Sequence, residues 1–380
     1  MRLSRKHWNQ GHLARSPSGS DHQRVTHRIA LGAPADRLFE RACLAGLPGW
    51  RSAGAARLSF SESGHDEVDA VWSEGETGRV LFPSVGPQTF WTTTAVDPQR
   101  RRLQAVMMCP ELGMGCLDIA MDEQDGGTGV RLELSYTVLS ETGPALLDGE
   151  LHDRLLRLLE GFGRTLASSW DSEAASPVPA QGEAARQKTE YTIDISGDVD
   201  RCFALACPVA ELLWIDGWTF DLIYSQSGKN EPGCVFLEPS SGLSMLRSPG
   251  AHTYWYTTRY CTEQHEFDAV LLTRDLTVGH WQIRMADLGD GQTRVRWRLT
   301  YTGLGPEGNR IVREPALSTR MRQALAFLAA SMKHYVETGS VYRLSGKRKL
   351  RLAASLIRAA LGRRWRLHYE AVSRAWPHPE

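Results

Sequence analysis

In the second half of this chain, Glu211, Asp216, Glu231 and Tyr301 are the candidates for moving protons. The three acids sit close in sequence to Trp214 and Trp218. A carboxyl buried beside large rings holds its proton more tightly than in water and can then act as acid or base near neutral pH. The same acids can instead cap helices or pin turns, the commoner work of Asp and Glu. Around them stands an aromatic set, Trp214, Trp218, Trp255, Trp281, Trp297 and Tyr301. Large rings dominate cores, and they also wall ligand cavities, so packing and ligand binding are both open for these six.

Other chemistries find less support. His252, His265 and His280 have no metal-ligand spacing with one another or with the cysteines, so no metal is expected. There is no GxSxG, no P-loop and no GxGxxG in a strand-to-helix setting, which removes the usual acyl-hydrolase, nucleotide and dinucleotide signatures; no cofactor is expected. Cys207 matches Cys43 in the first half, yet no His stands at a corresponding place in both halves, and small buried packing accounts for it better than nucleophilic attack.

The elements that position these residues come from bulk properties and from a repeat. A chain of 380 residues exceeds one ordinary domain. Lys plus Arg equals Asp plus Glu, 44 each, so no overall charge favours nucleic acid. The seven cysteines are scattered without a CxxC pair, which fits a reducing, cytoplasmic setting. Met1 to Arg24 lacks an apolar stretch and does not read as a secretory signal.

Shifted by 164 positions, the chain meets itself. Ile29 falls on Ile193, Phe39 on Phe203, Cys43 on Cys207, Trp50 on Trp214, Glu67 on Glu231 and Trp91 on Trp255. One inserted residue later, Tyr136 and Thr137 meet Tyr301 and Thr302. About one position in four agrees along the ungapped run, against about one in fifteen from ordinary residue usage. The chain is therefore a tandem duplication. The expected division is an unstructured basic arm over 1–25, a first domain over 26–170, a linker over 171–189, a second domain over 190–338 and a basic segment over 339–380.

Within the second copy, Tyr191, Ile193 and Ile195 alternate as in a half-buried strand. Two short helices follow, divided by Pro208. Strand-like runs lead to Pro315–Glu337, where Leu317, Met321, Leu325, Leu328 and Met332 form a helical stripe. In their strands Trp281 shares a face with Ile283 and Met285, and Trp297 with Val295, Leu299 and Tyr301, so both rings point towards that helix. Arg294, Arg296 and Arg298 occupy the opposite face as a solvated row. The fold class is α+β: two tandem domains, each a curved antiparallel sheet wrapped around a long C-terminal helix.

Cys207-Pro208-Val209 with Glu211, Trp214-Ile215-Asp216-Gly217-Trp218, Tyr224-Ser225, Ser227-Gly228, Glu231, Gly233-Cys234-Val235-Phe236, Thr300-Tyr301-Thr302-Gly303-Leu304 and Gly308-Asn309 together resemble a bacterial branch of the START/Bet v 1-like (SRPBCC, polyketide cyclase) superfamily. The resemblance implies a helix-grip fold and an apolar small molecule, such as a lipid, isoprenoid or aromatic metabolite, held between sheet and helix. A cyclase or aromatase activity is the alternative. The first copy departs from the pattern: Leu44 stands for Pro208, Ala53 and Gly54 for Gly217 and Trp218, Asp69 for Gly233 and Val138 for Gly303. The functional expectation therefore rests on the second copy.

Beyond the second domain, Lys347, Arg348, Lys349, Arg351, Arg358, Arg363, Arg364 and Arg366 accompany Leu350, Leu352, Leu356, Ile357, Leu361 and Trp365. The pattern over 345–376 is a basic amphipathic helix, suited to docking on its own protein, to a protein partner or to peripheral contact with the inner face of a membrane; the last two make the chain an interaction scaffold.

Overall fold

The computed structural model describes residues 22–45, 57–63, 67–139, 150–170, 184–216, 218, 220–238, 252–273 and 276–343. The first copy runs β1 (His22–Leu31), α1 (Ala35–Ala45), β2 (Arg57–Phe60), β3 (Val71–Glu74), α2 (Glu76–Leu81), β4 (Thr89–Asp97), β5 (Arg102–Cys109), β6 (Gly113–Gln124), β7 (Gly127–Val138) and α3 (Leu151–Trp170). The second runs β8 (Arg186–Ser196), α4 (Val199–Ala204), α5 (Pro208–Glu211), β9 (Asp221–Tyr224), β10 (Val235–Glu238), β11 (Thr253–Cys261), β12 (Glu266–Thr273), β13 (Thr277–Gly289), β14 (Gln292–Gly303), α6 (Gly305–Val312) and α7 (Pro315–Thr338).

Each copy forms a seven-stranded antiparallel sheet, in the orders β1-β7-β6-β5-β4-β3-β2 and β8-β14-β13-β12-β11-β10-β9. The matching orders express the duplication in three dimensions. Each sheet packs a long helix into its concave face, the helix-grip architecture. In the second copy, Trp281, Ile283 and Met285 of β13 and Val295, Trp297, Leu299 and Tyr301 of β14 meet Leu317, Met321, Leu325, Ala329 and Met332 of α7. Period-two strands and a helical stripe thus close one core.

The residues between β8 and β9 set the mouth of this core. Asp198 caps α4 by accepting from the Arg201 amide at 3.0 Å. Pro208 cannot extend that helix, but its fixed φ suits a first turn, so α5 starts there.

A third apolar cluster joins the copies. Val71, Val106, Met108 and Met114 from the back of the first sheet pack with Val235, Tyr254, Tyr256, Val270, Leu272, Val278 and Leu304 of the second copy. The domains therefore stand back to back, with helices outward. Ser135 Oγ and the Tyr256 hydroxyl share a hydrogen bond of 2.8 Å across the seam. At one edge Asp69 accepts from Arg186 at 2.7 Å and is hydrogen bonded to His280 Nδ1.

Several expectations need adjustment. β8 begins at Arg186, inside the stretch expected to be linker, because Arg186 and Gln187 extend the ladder opposite Thr302 and Tyr301. Likewise β1 begins at His22, within the arm expected to be unstructured, opposite Thr137. The arginine row is not merely solvated: Arg294 pairs with Asp194 at 2.8 Å, and Arg296 and Arg298 share Glu190 at 2.6 and 2.8 Å. The basic segment 345–376 lies outside the described residues. No described helix is long and apolar enough to cross a membrane.

Candidate functional site

Two acids of the second copy, Glu211 and Glu238, lie near enough for the charge of one to act on the other. Glu211 ends α5, which Trp218 holds in place through a 3.4 Å hydrogen bond from its indole nitrogen to the Pro208 carbonyl. Glu238 ends β10 and accepts from Trp255 Nε1 at 3.2 Å. Glu211 keeps a partly accessible side chain, whereas Glu238 is 8% exposed. Burial, reinforced by the neighbouring Glu238 charge, pushes the Glu211 carboxyl up to about 8. Burial pushes Glu238 up to about 7 against the opposing donation from Trp255. Neither acid has an Arg or Lys partner among the described residues. Between them the pair therefore holds protons at neutral pH.

The wall beside the pair is aromatic. Trp218 and Phe220 lie 6.3 Å apart by ring centroids, Phe220 and Phe236 5.8 Å, Phe236 stacks on Trp255 at 5.3 Å, and Trp255 meets Trp281 edge-on at 5.7 Å. Tyr301 is buried on the same face; burial and the Glu238 charge push its phenol well above the ordinary value. Trp214 and Trp297 are sealed in packing, each 1% exposed, and Trp214 Nε1 is spent on the Leu205 carbonyl at 2.9 Å. Of the six aromatics singled out in the sequence, Trp218, Trp255, Trp281 and Tyr301 thus stand nearest the acids.

The first copy supplies an internal contrast. Glu74 and Trp91 repeat Glu238 and Trp255, with Trp91 Nε1 donating to Glu74 at 3.0 Å. Glu74 also accepts from the Thr77 amide at 3.0 Å and from the Glu76 amide, which starts α2. Its lone pairs are occupied by structure. The position matching Glu211 holds Leu47. The first copy therefore keeps one acid of the pair and uses it to brace a helix.

The remaining candidates sit elsewhere. Glu231 lies in the β9–β10 connection, accepting from the Ser225 hydroxyl at 2.9 Å and the Ser227 amide at 2.8 Å. Burial opposes its charge, but these donors hold it below the usual carboxylate range. It pins a turn, as Glu67 does with Ser61 and Ser63 in the first copy. Asp216 occupies the half-buried turn after α5. Cys207 and Cys234 are buried free thiols, and burial beside Cys207 pushes Cys234 up to about 12, against thiolate chemistry. His265 pairs with Asp200 at 2.7 Å, His252 packs edge-on against Tyr254, and His280 belongs to the seam between copies.

Glu238 is the acid that reading the sequence missed. At the end of a strand it resembles an ordinary turn acid, but its recurrence as Glu74, each with a Trp 17 positions later, was a usable signal.

No family model matches the chain, and no curated protein does. Among solved structures, the di-domain ARO/CYC BexL from the BE-7585A biosynthetic pathway is 15% identical, with 82% of this chain and 99% of that one covered at a TM-score of 0.29. The di-domain ARO/CYC StfQ from the steffimycin biosynthetic pathway is 14% identical over 82% and 98%, at 0.32. Norcoclaurine synthase from Thalictrum flavum is 15% identical over 41% of this chain and 88% of its own, at 0.31.

Proposed function

We propose that the second domain binds an apolar small molecule between its sheet and α7, with Glu211 and Glu238 as the polar point that orients it. The observation that carries this reading is the run of rings from Trp218 to Trp281 beside Glu238, together with Glu211, a half-buried carboxyl that accepts no hydrogen bond among the described residues. Copy one has dispensed with it. The driving force would be apolar burial, about 25 cal/mol per Å² removed from water.

Native mass spectrometry of the freshly purified chain is expected to show a co-purifying small molecule that Trp218→Ala or Trp281→Ala depletes. Apo protein alone, together with no change in tryptophan fluorescence across a panel of aromatic and isoprenoid compounds, would overturn the reading.

A second reading has its own support. A carboxyl pair whose members titrate near 7 and 8 can take and return a proton, as cyclisation or dehydration of a reactive chain requires. In that case Glu211 and Glu238 are the acid and base, with Tyr301 beside them. Conversion of the co-purified molecule by wild type but not by Glu211→Gln would establish it; identical mass and an identical chromatographic and NMR signature before and after incubation would remove it.

A further inference from the structure

We propose that the groove between α2 and α3 of the first copy is a binding site for a small phosphate-bearing anion, with Arg154 at its base and Arg79, Arg157 and Arg164 around it. The site is separate from the cradle of the second copy and does not rest on the binding reading above.

A cavity and its lining carry the proposal. The groove holds about 590 Å³, and its charged lining is Glu76 and Arg79 of α2, Glu150, and Arg154, Arg157 and Arg164 of α3. That volume lies in the range of small-molecule sites. Arg157, Gly161 and Arg164 follow Arg154 at helical spacing along one flank of α3, so the stripe runs about 15 Å. Gly161 brings no side chain into the middle of it. The Arg154 side chain is 7% exposed, and its Nη1 donates to the Leu81 carbonyl at 3.0 Å. A guanidinium fixed in advance presents its fork to an anion at little ordering cost.

The carboxylates nearby do not use up these arginines. Glu76 lies 3.9 Å from Arg79, Glu150 lies 3.8 Å from Arg154 and 3.9 Å from Arg157, and Glu160, outside the lining, lies 3.8 Å from Arg164. None of these four pairs is close enough for a hydrogen bond. Exposed arginines elsewhere do close on their acids: Arg294 meets Asp194 at 2.8 and 2.9 Å, and Arg310 meets Glu307 at 2.8 and 2.6 Å. Within the lining, four arginines against two glutamates leave an excess of positive charge, and guanidinium forks match the oxygens of a phosphoryl group. The second copy lacks this chemistry. The core stripes Leu151-Leu155-Leu159-Leu166 and Leu317-Met321-Leu325-Met332 share one spacing. Aligned on them, Arg157, Gly161 and Arg164 meet Gln323, Phe327 and Ala330, while Arg154 meets Arg320, which donates to Glu314 at 3.2 Å. The arginine stripe therefore belongs to copy one and is no requirement of the helix-grip fold.

Calorimetric titration of the full chain with inorganic pyrophosphate, at pH 7.5 and low salt, tests this. One ion is expected to bind per chain. Arg157 and Arg164 are exposed, so the double variant Arg157→Gln/Arg164→Gln should fold as wild type does. It should bind pyrophosphate about tenfold more weakly, because one exposed ion pair accounts for up to about fivefold. Arg154→Gln should lose more than the double variant, with circular dichroism reporting that the fold is kept; if it does not fold, the double variant alone decides. Arg294→Gln/Arg296→Gln removes the same charge from the second copy and should leave the affinity unchanged. Absence of pyrophosphate binding, or an equal loss in both double variants, would overturn the site, since binding would then be missing or would follow net charge alone. An oligoglutamate peptide that binds more tightly than pyrophosphate and is weakened by Arg157→Gln/Arg164→Gln would overturn the small-anion assignment in favour of an acidic protein partner.

Discussion

At the scale of the residue, Glu211 and Glu238 couple the site to stability. Their folded values, about 8 and about 7, lie above the ordinary carboxylate value of 4.5. Between that value and about 8 the folded chain holds more protons than the unfolded one, so stability falls as pH rises through the window and levels off above it. Glu211→Gln removes the cost of ionising a carboxyl there. The melting temperature of the variant is therefore expected to match wild type near pH 5 and to exceed it by several degrees near pH 9. Thermal unfolding followed at the two pH values checks this, and an equal effect at both would show that the carboxyl is not held protonated by its surroundings. The glycines opposite the tyrosines show how closely the neighbouring sheet is packed. A Cβ on Gly279 would lie 2.9 Å from the Tyr301 ring, and one on Gly115 would lie 2.6 Å from the Tyr136 ring. That pairing explains why both glycines and both tyrosines recur in the duplication.

At the scale of the element, the turn before β3 shows what the first copy exchanged for the pattern it lost. Gly233 precedes β10 with φ 89, and its counterpart Asp69 holds φ 73, a conformation costing a non-glycine residue roughly 1 kcal/mol. In return the Asp69 carboxylate reaches across the seam to Arg186 and His280, both from the second copy. Burial opposes the charge of Asp69, but His280 and Arg186 together bring it below the ordinary value; burial likewise opposes protonation of His280, but Asp69 raises it. The contact is thus complete between the two titrations. It is lost as pH falls through the lowered Asp69 value and as pH rises through the raised His280 value. Asp69→Gly keeps the backbone comfortable and strands two buried cations, so it should destabilise the chain by about 3 kcal/mol inside that window. Denaturant unfolding followed as pH rises from 6.5 should show the deficit shrinking as His280 loses its proton; a deficit that stays constant while NMR shows the imidazole deprotonating would mean that the His280 charge does not contribute. In the sequence this substitution read as decay of a ligand-binding pattern. Its partners lie 117 and 211 positions away, beyond the reach of local spacing. The alternating strands and the α7 stripe, by contrast, are local patterns, which is why the helix-grip fold was legible and the staple was not.

At the scale of the whole molecule, the repeat becomes an approximate two-fold. His22 stacks on Tyr224 at 3.8 Å, and Arg186 lies over Phe60 at 4.4 Å. His22 and Arg186 are repeat mates, as are Phe60 and Tyr224, so each copy offers its first strand to a ring of the other. The duplication was plain in the sequence, but its back-to-back packing was not, because a single sheet with one wet face obeys the same alternation. One clue lay in β12, Glu266–Thr273, whose residues Phe267 to Thr273 are all buried, since one face meets α7 and the other meets copy one. A strand covered on both sides reads as a continuous apolar run. The seam is apolar and bonded enough that the two domains should melt as one unit, although each has its own core. Val270 is fully buried in the seam and points away from the cradle. Val270→Arg places an uncompensated charge there. Scanning calorimetry is expected to split one transition into two, with the near-ultraviolet signal of the Trp255 and Trp281 wall retained through the first. A single transition at an unchanged temperature would show that packing at Val270 does not couple the two cores.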